Sequence, residues 1–519
     1  MKKLLFLPIL LLITSFMPFQ ERNSPNQLVV IANNPGPVIS KDIYGHFSEH
    51  LGKCIYEGIW VGKNSTIPNT DGIRNDVLKA LKDIKVPNLR WPGGCFADTY
   101  HWKDGIGPQE NRKSIVNIHW GGVTEDNSFG THEFMRLTEL LECEPFINGN
   151  LGSGTVQEMS EWVEYMTSDA DSPMTRLRKQ NGREDPWKVR YFAIGNESWG
   201  CGGNMSVEYY TPLMKHYSTF LTNYGGNRLY KVACGPYGSD YNWTEVLFKD
   251  ASARNMFQGY SIHYYSVVDG WGVKGSATKF VEREWFETFR LNLEMDRIIR
   301  GHKAIMDRYD PRGTKGLVVD EWGNWFVNEP GTNPGFLYQQ NTLRDAITAA
   351  IHLNIFNNHA DRVKIANLAQ VVNVLQAVIL TDGPKMLLTP TYHVFRMFAV
   401  HQEARLLPMN LIVENYTYES GSIPAVSASA SIDKDDKIHI TLANLNPNKE
   451  IELSVILTGD GYNGITGEVL TATEMGAHNT FDKPTSVTPT TFKGFDLKNN
   501  KLTVSLPAKS VVALEVTKK

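Results

Sequence analysis

Two glutamates stand where chemistry is easiest to place. Glu197 ends the run RYFAIGNE (190–197) and Glu321 lies near the end of GLVVDEW (316–322), 124 positions further on (321 − 197). An apolar run leading straight into a carboxylate is informative, because an ionised group is costly to bury without partners. Two carboxylates are also the minimal equipment for cleaving a glycosidic bond: one protonates the leaving oxygen while the other attacks the anomeric carbon. Either alone reads equally well as an ion-pair partner at a strand end. The two together, at strands four and seven of eight, favour chemistry.

The elements that must position them are readable as an alternation. Between residues 43 and 375, eight short apolar runs occur: IYGHFSEH (43–50), PNLRWPGG (87–94), CEPFING (143–149), RYFAIGNE (190–197), LYKVACG (229–235), YSIHYYS (260–266), GLVVDEW (316–322) and IANLAQVVN (365–373). Amphipathic stretches separate them, among them 206–224 and 341–358; the latter has apolar residues at 343, 346, 347, 350 and 351, the spacing of a helix stripe. Strands alternating with helices imply a parallel sheet, and eight units a closed α/β barrel of the (β/α)₈ type, with catalytic groups at the strands' C-terminal ends. Beyond about 395, short alternating runs such as KIHITLANL and KLTVSLP, broken by turn clusters, imply an all-β sandwich. The expected division is a signal peptide at 1–20, a segment at 21–42 adding a strand to the sandwich, the catalytic barrel at 43–395, and a jelly-roll-like sandwich at 396–519. No repeat or low-complexity linker intervenes, so the two domains are expected to pack closely.

Composition excludes several classes. The 519 residues exceed one ordinary core. With 41% hydrophobic and 21% charged residues and a net charge of −4, the chain has neither a nucleic-acid binder's basic footprint nor a solvating acidic tail. Its 12 Trp and 21 Tyr suit the flat apolar platforms of sugar sites, though large cores use them too. The opening MKKLLFLPILLLITSFMPFQ has two lysines and an apolar run of signal-peptide length, too short to span a bilayer. Export to the periplasm or outside the cell is therefore expected, although no small-residue cleavage triplet stands out. Five cysteines, an odd number without zinc spacing, require no disulfide framework and predict at least one free thiol.

GNE after strand four and DEW after strand seven resemble the acid/base and nucleophile motifs of clan A glycoside hydrolases. The finer resemblance is to glycoside hydrolase family 51, the α-L-arabinofuranosidases. It runs from about 40 to 510 through FSEHLG (47–52), LRWPGGCFAD (89–98), HWKDGIGP (101–108), FGTHEF (129–134), FAIGNESWGCGG (192–203), IHYYS (262–266), DEWGNW (320–325) and VNVLQA (372–377). It implies exo-acting release of terminal arabinofuranosyl groups from arabinan, arabinoxylan or their oligosaccharides by double displacement. Glu197 would be acid/base and Glu321 nucleophile. Glu49 would accept hydrogen bonds from furanose hydroxyls, Arg90 would hold a site carboxylate with its planar fork, and Asn196 would bind the 2-hydroxyl. His263 would modulate Glu197, Tyr265 would hold the nucleophile's oxygen, Gln376 would contact the sugar, and Trp325 and Trp120 would be subsite walls. Many family members carry Asn where this chain has Cys95, and a thiol is a weak donor and acceptor. A free thiol there would make activity sensitive to mercurials or oxidation.

Retention requires carboxyl groups about 5–5.5 Å apart, Glu321 ionised, and Glu197 protonated with its pKa raised by burial and by its charged neighbour. The resemblance implies no metal and no organic cofactor, no nucleic-acid partner, no membrane insertion of the mature form, and a homo-oligomer. A β-xylosidase or endo-glucanase on the same scaffold is the alternative, because fold does not fix substrate. A non-catalytic glycan-binding protein is a remoter one, opposed by the presence of both glutamates. HFSEH (46–50) also fits a zinc-protease pattern, but that pattern needs a helix and Gly45 and Gly52 flank this one.

Overall fold

The computed structural model describes residues 26–459, 461–498 and 501–518. Eight parallel strands close into a barrel in which sequence neighbours are also spatial neighbours. They are β1 (Gly45–Phe47), β2 (Asn88–Trp91), β3 (Glu144–Gly149), β4 (Tyr191–Ile194), β5 (Tyr230–Ala233), β6 (Gly259–Ser266), β7 (Gly316–Asn324) and β8 (Val363–Ala369). The eight apolar runs thus each deliver one strand, and the expected barrel with a β-rich C-terminal region is present. Every residue of β6 and β7 is buried, as in a parallel sheet covered on both faces.

One irregularity interrupts the pairing of β6 with β7. Ser261 of β6 lies opposite Val318 of β7, yet His263 lies opposite Glu321. Two steps on β6 therefore match three on β7. The extra residue is a bulge, and it re-aims the side chains beyond it.

Two antiparallel sheets form the C-terminal region. The strand Gln27–Val30 pairs with Met409–Ile412 on one side and Ile451–Leu457 on the other, so the start of the described chain is built into the five-stranded sheet. A six-stranded sheet centred on Ile438–Asn444 and Ser510–Lys518 faces the barrel. Between them and the barrel lies the helix Leu343–Asn358, buried from Leu343 to Asn357. Its apolar stripe suggests one covered face; the structure covers all of it, because the barrel takes the apolar side and the sandwich takes a row of asparagines. Asn354 donates to Ser427 Oγ at 3.2 Å and accepts from Ser429 Oγ at 3.0 Å and Thr441 Oγ1 at 2.8 Å, while Asn357 donates to Ser429 at 3.1 Å.

HFSEH forms no helix. His46 sits in β1 with its ring 4.5 Å from that of Phe395, whereas His50 lies beyond the strand, stacked 4.7 Å from Phe96. Among the described residues, the clusters close enough to hold an ion include neither histidine.

Replacing Asn354 by Ala removes the amide oxygen that the buried hydroxyls of Ser429 and Thr441 share, leaving them, among the described residues, only each other, Asn357 and His401 as partners. A loss of about 1–3 kcal/mol is expected in denaturant unfolding, with the barrel's circular dichroism unchanged before the transition.

Candidate active site

The site is assembled at the C-terminal ends of the barrel strands. From β2 comes Arg90, wholly buried, whose Nη1 donates to Glu321 Oε1 at 2.8 Å and Nη2 to Asn196 Oδ1 at 2.5 Å; its Nε lies 3.5 Å from Asp320 Oδ2. The turn after it needs glycine for space. A Cβ on Gly94 would lie 2.7 Å from Glu321 Oε1, and one on Gly93 would lie 2.7 Å from Cγ of Glu49. Glu49, beyond β1, accepts on Oε1 from the backbone N–H groups of Gly94 (2.9 Å) and Phe96 (3.1 Å) and from Trp120 Nε1 (3.0 Å). Its Oε2 accepts from Gln370 Nε2 at 2.8 Å.

Asn196 and Glu197 leave β4 through a sharp turn. Asp98 accepts from the N–H of Asn196 at 2.9 Å, and Glu197 adopts a left-handed φ of 39°, a strained conformation for a side chain of this size. From β6, His263 Nδ1 meets Glu197 Oε1 at 2.9 Å and Glu321 Oε2 at 3.5 Å, while its Nε2 lies 3.0 Å from Asp320 Oδ1. Tyr265 donates to Glu321 Oε2 at 2.8 Å. One oxygen of Glu197, one of Glu321 and a ring nitrogen of His263 all lie within 4.8 Å of one another.

Electrostatics separate the titratable groups. Burial alone would lower the pKa of His263, but the carboxylates of Glu321 and Asp320 and its bonds to Asp320 and Glu197 push it up to about 10. The ring is therefore a cation at neutral pH. Burial raises Glu197 above the ordinary carboxylate range, and the charge of Glu321 adds to this against the opposing pull of His263 and Arg90. Burial and the charge of Glu321 bring Glu49 to about 7.

A cavity of 310 Å³ opens over these groups, lined by Glu49, Glu197, Glu321, Tyr265 and Gln370 and walled by Trp120, Trp199, Tyr237, Trp271 and Trp325. The Trp325 ring stands edge-on to Tyr265 at 5.1 Å and to Trp271 at 5.2 Å. The arrangement sets a carboxyl whose pKa burial raises beside an Arg-bound carboxyl, with an imidazolium between them, in a pocket walled by aromatic rings.

Glu49, Arg90, Asn196, Glu197, His263, Tyr265, Glu321 and Trp325 thus come together. Gln376 does not: it is wholly buried behind β7, accepting from Asn324 N–H at 2.9 Å and donating to Asp345 O at 2.7 Å. The glutamine in the cavity is Gln370, whose Oε1 is buried with no partner among the described residues. A free thiol at Cys95 is also corrected. Cys95 is disulfide-bonded to Cys201, because the loops after β2 and β4 bring their Cα atoms to 5.4 Å; Cys54, Cys143 and Cys234 are free. Asp320 was missed because strand alternation sends a neighbour of Glu321 to the other face, and only the bulge allows both to reach His263.

Two α-L-arabinofuranosidase families match the chain: the C-terminal domain over residues 320–510 and the α-L-arabinofuranosidase 1 domain over 80–225. The chain is 51% identical over 490 residues, 94% of its length and 95% of the relative's, to an intracellular exo-α-L-arabinofuranosidase of Bacteroides ovatus. The GH51 arabinofuranosidase of Xanthomonas axonopodis pv. citri superposes with a TM-score of 0.93 at 48% identity, covering 95% of this chain and 100% of that one. The arabinose complex of the Thermotoga maritima α-L-arabinofuranosidase does so with a TM-score of 0.84 at 30% identity, with the same coverage.

The Bacteroides relative is named intracellular, which overturns the expectation of a secreted, periplasmic or extracellular protein. That expectation rested on charge and apolar length alone, without a small-residue cleavage site, in a segment (1–20) that lies outside the described residues. Among the described residues no helix is long and apolar enough to cross a membrane.

Nitrogen NMR of the His263 ring should show an imidazolium throughout the neutral range, titrating near pH 10. Glu321→Gln, which removes one of its carboxylates, should lower that pKa by about 1–3; an unchanged titration would contradict this charge balance.

Proposed function

The chain belongs to glycoside hydrolase family 51, the α-L-arabinofuranosidases, and on that premise we propose how its residues perform a retaining, exo-acting hydrolysis of terminal α-L-arabinofuranosyl groups. The observation that carries this reading is the pair Glu197 and Glu321 on either side of His263, with oxygens within 4.8 Å of one another. Such a separation leaves no room for a water between nucleophile and sugar, and so supports double displacement.

In the first step Glu321 attacks the anomeric carbon. Arg90 and the Tyr265 hydroxyl fix its two oxygens, so the attacking lone pair is aimed without reorganisation. Glu197 gives its proton to the leaving oxygen. In the second step the same carboxylate takes a proton from water, which attacks the glycosyl–enzyme ester and releases the sugar with its configuration retained. Asn196, held by Arg90 and by Asp98, presents its amide to the 2-hydroxyl. Glu49 and Gln370 close the base of the pocket and bind the remaining hydroxyls; the unpaired Oε1 of Gln370 is an acceptor awaiting a donor. Exo action is supported by the Bacteroides ovatus relative, which is named an exo-α-L-arabinofuranosidase. The substrates are arabinose-containing glycans, with plant arabinan, arabinoxylan and their oligosaccharides as the natural candidates.

The test is hydrolysis of p-nitrophenyl α-L-arabinofuranoside beside the β-D-xylopyranoside. Preference for the arabinoside, abolished in Glu321→Ala, is expected. Glu197→Ala should lower kcat/KM on oligosaccharides by about 10²–10⁴-fold, and less on the nitrophenyl glycoside, whose leaving group needs little protonation. Preference for the xyloside would overturn the substrate assignment.

Three further variants probe the geometry. Gly94→Ala places a methyl against Glu321 and should cost about 10²-fold in kcat with the fold intact. Gln370→Ala should raise KM for the arabinoside, a uniform loss of sugar contact. In His263→Gln the imidazolium that favours the ionised form of Glu197 is gone, so the basic limb of the kcat/KM profile should move to higher pH.

A further inference from the structure

The two oxygens of Glu197 have unlike surroundings. Oε1 faces the charged ring of His263 at 2.9 Å. Oε2 faces the Cys95–Cys201 bridge, with Sγ of Cys201 at 3.3 Å and Sγ of Cys95 at 3.9 Å. Both sulfurs are consumed by their mutual bond, so neither carries a hydrogen. Among the described residues no N–H or O–H donates to Oε2. The other charged and titratable groups around Glu197 are Glu321 and Asp320 from β7, Arg90 from β2, Tyr265 from β6 and Tyr237 from the loop after β5. None of them donates a hydrogen bond to Oε2: Arg90 and Tyr265 donate to Glu321, and the Tyr237 hydroxyl donates to Tyr265 O at 3.0 Å.

We propose that the Cys95–Cys201 disulfide is a positioning element for proton delivery: it walls Oε2 of Glu197 with sulfurs that have nothing to donate, so that this oxygen is the one that carries the proton to the leaving group. The inference rests on Glu197 being the acid/base. A carboxyl oxygen that already accepts a hydrogen bond is stabilised as an anion and gives up its acid role at lower pH. The bridge leaves the imidazolium to orient one oxygen and keeps the second for catalysis.

Opening the bridge reverses this. A dithiol reduces the bond, the two cysteines each gain a hydrogen, and the dithiol is oxidised to its cyclic disulfide. The Cys201 sulfur, 3.3 Å from Oε2 in the bridged form, becomes a thiol beside that oxygen, within reach for an S–H donor. It stabilises the carboxylate, and the fraction of enzyme holding the catalytic proton falls at neutral pH.

The experiment is the pH profile of kcat/KM of the full chain on an arabino-oligosaccharide, before and after reduction with dithiothreitol, with free thiols counted. Reduction should expose two further thiols and move the basic limb down by about 0.5–1 pH unit. kcat near neutrality should fall by roughly 3–10-fold, KM should change little, and reoxidation should restore the profile. The double variant Cys95→Ala/Cys201→Ala has neither bridge nor S–H, and its basic limb should stay at the oxidised enzyme's position. Cys201→Ser, which places a stronger donor on Oε2, should hold the limb low whatever the redox state, and carries the test alone if the dithiol does not open the bond. An unmoved limb in the reduced enzyme or in Cys201→Ser overturns the proposal. So does a lowered limb in the double alanine variant, which would assign the effect to the lost tie between loops. If instead Glu197→Gln keeps the basic limb, the acid/base assignment itself fails, and that outcome is separable because it does not depend on the bridge.

Discussion

Two buried cations and four carboxyl groups share the mouth of this barrel, and the need to balance them decides what each group can do. Arg90 and the His263 imidazolium supply two positive charges. Asp320 touches both and is held below the ordinary carboxylate range despite the burial that opposes it, chiefly by the charge of Arg90 and then by His263. Glu321 takes the remaining strong donors, from Arg90 and Tyr265. With two anions set against two cations, a third charge has no counterion, and burial pushes Glu197 and Glu49 towards their neutral forms. The acid and the nucleophile are thus distinguished by which carboxyl group reaches the guanidinium, a division of labour between environments rather than between residue types.

The backbone features at the site serve that balance. The bulge between Val318 and Glu321 lets consecutive carboxylates, Asp320 and Glu321, meet the two nitrogens of one imidazole ring. Gly94 leaves the space that Glu321 occupies, and the left-handed turn at Glu197 swings its carboxyl across to His263. Each would be a local fault in an ordinary strand or loop. Each is tolerated because the ion pairs beyond it over-determine the position.

The same dependence on register sets how much of the molecule is legible in its sequence. Barrel strands are buried on both faces, so eight apolar runs separated by helical stretches suffice to outline the fold, and a glutamate ending such a run advertises itself. The similarity of GNE, DEW, WPGG and HYY to one family places most of the remaining side chains. What stays hidden depends on three-dimensional placement. Gln370 and Gln376 are six positions apart in one loop, and nothing local says that the turn after β8 sends the first into the cavity and the second behind it. The Cys95–Cys201 bond spans 106 positions, and an odd set of five cysteines gives no pairing. The apolar face of the helix Leu343–Asn358 is legible; its asparagine face reads as solvated, because only the packed sandwich converts it into an interface.

Gln376 and that helix point to a wider role for the C-terminal sheets. Gln376 accepts from the N–H of Asn324 at the end of β7 and donates to the carbonyl of Asp345 in the helix's first turn. Asn324 in turn donates to Asp345 and Thr348, and Thr348 donates to Asn292, which donates to Ser266 at the end of β6. The ends of the two strands that carry His263 and Glu321 are therefore cross-braced to one helix by side-chain hydrogen bonds. Seventy to ninety residues further along the chain, Ser427, Ser429 and Thr441 grip the other end of that helix through Asn354 and Asn357. A nucleophile must be held to within a fraction of an ångström of its line of attack. A barrel alone would leave this helix exposed along its asparagine face. The sandwich covers that face, so a domain that lines none of the cavity holds the far end of the helix to which β6 and β7 are braced.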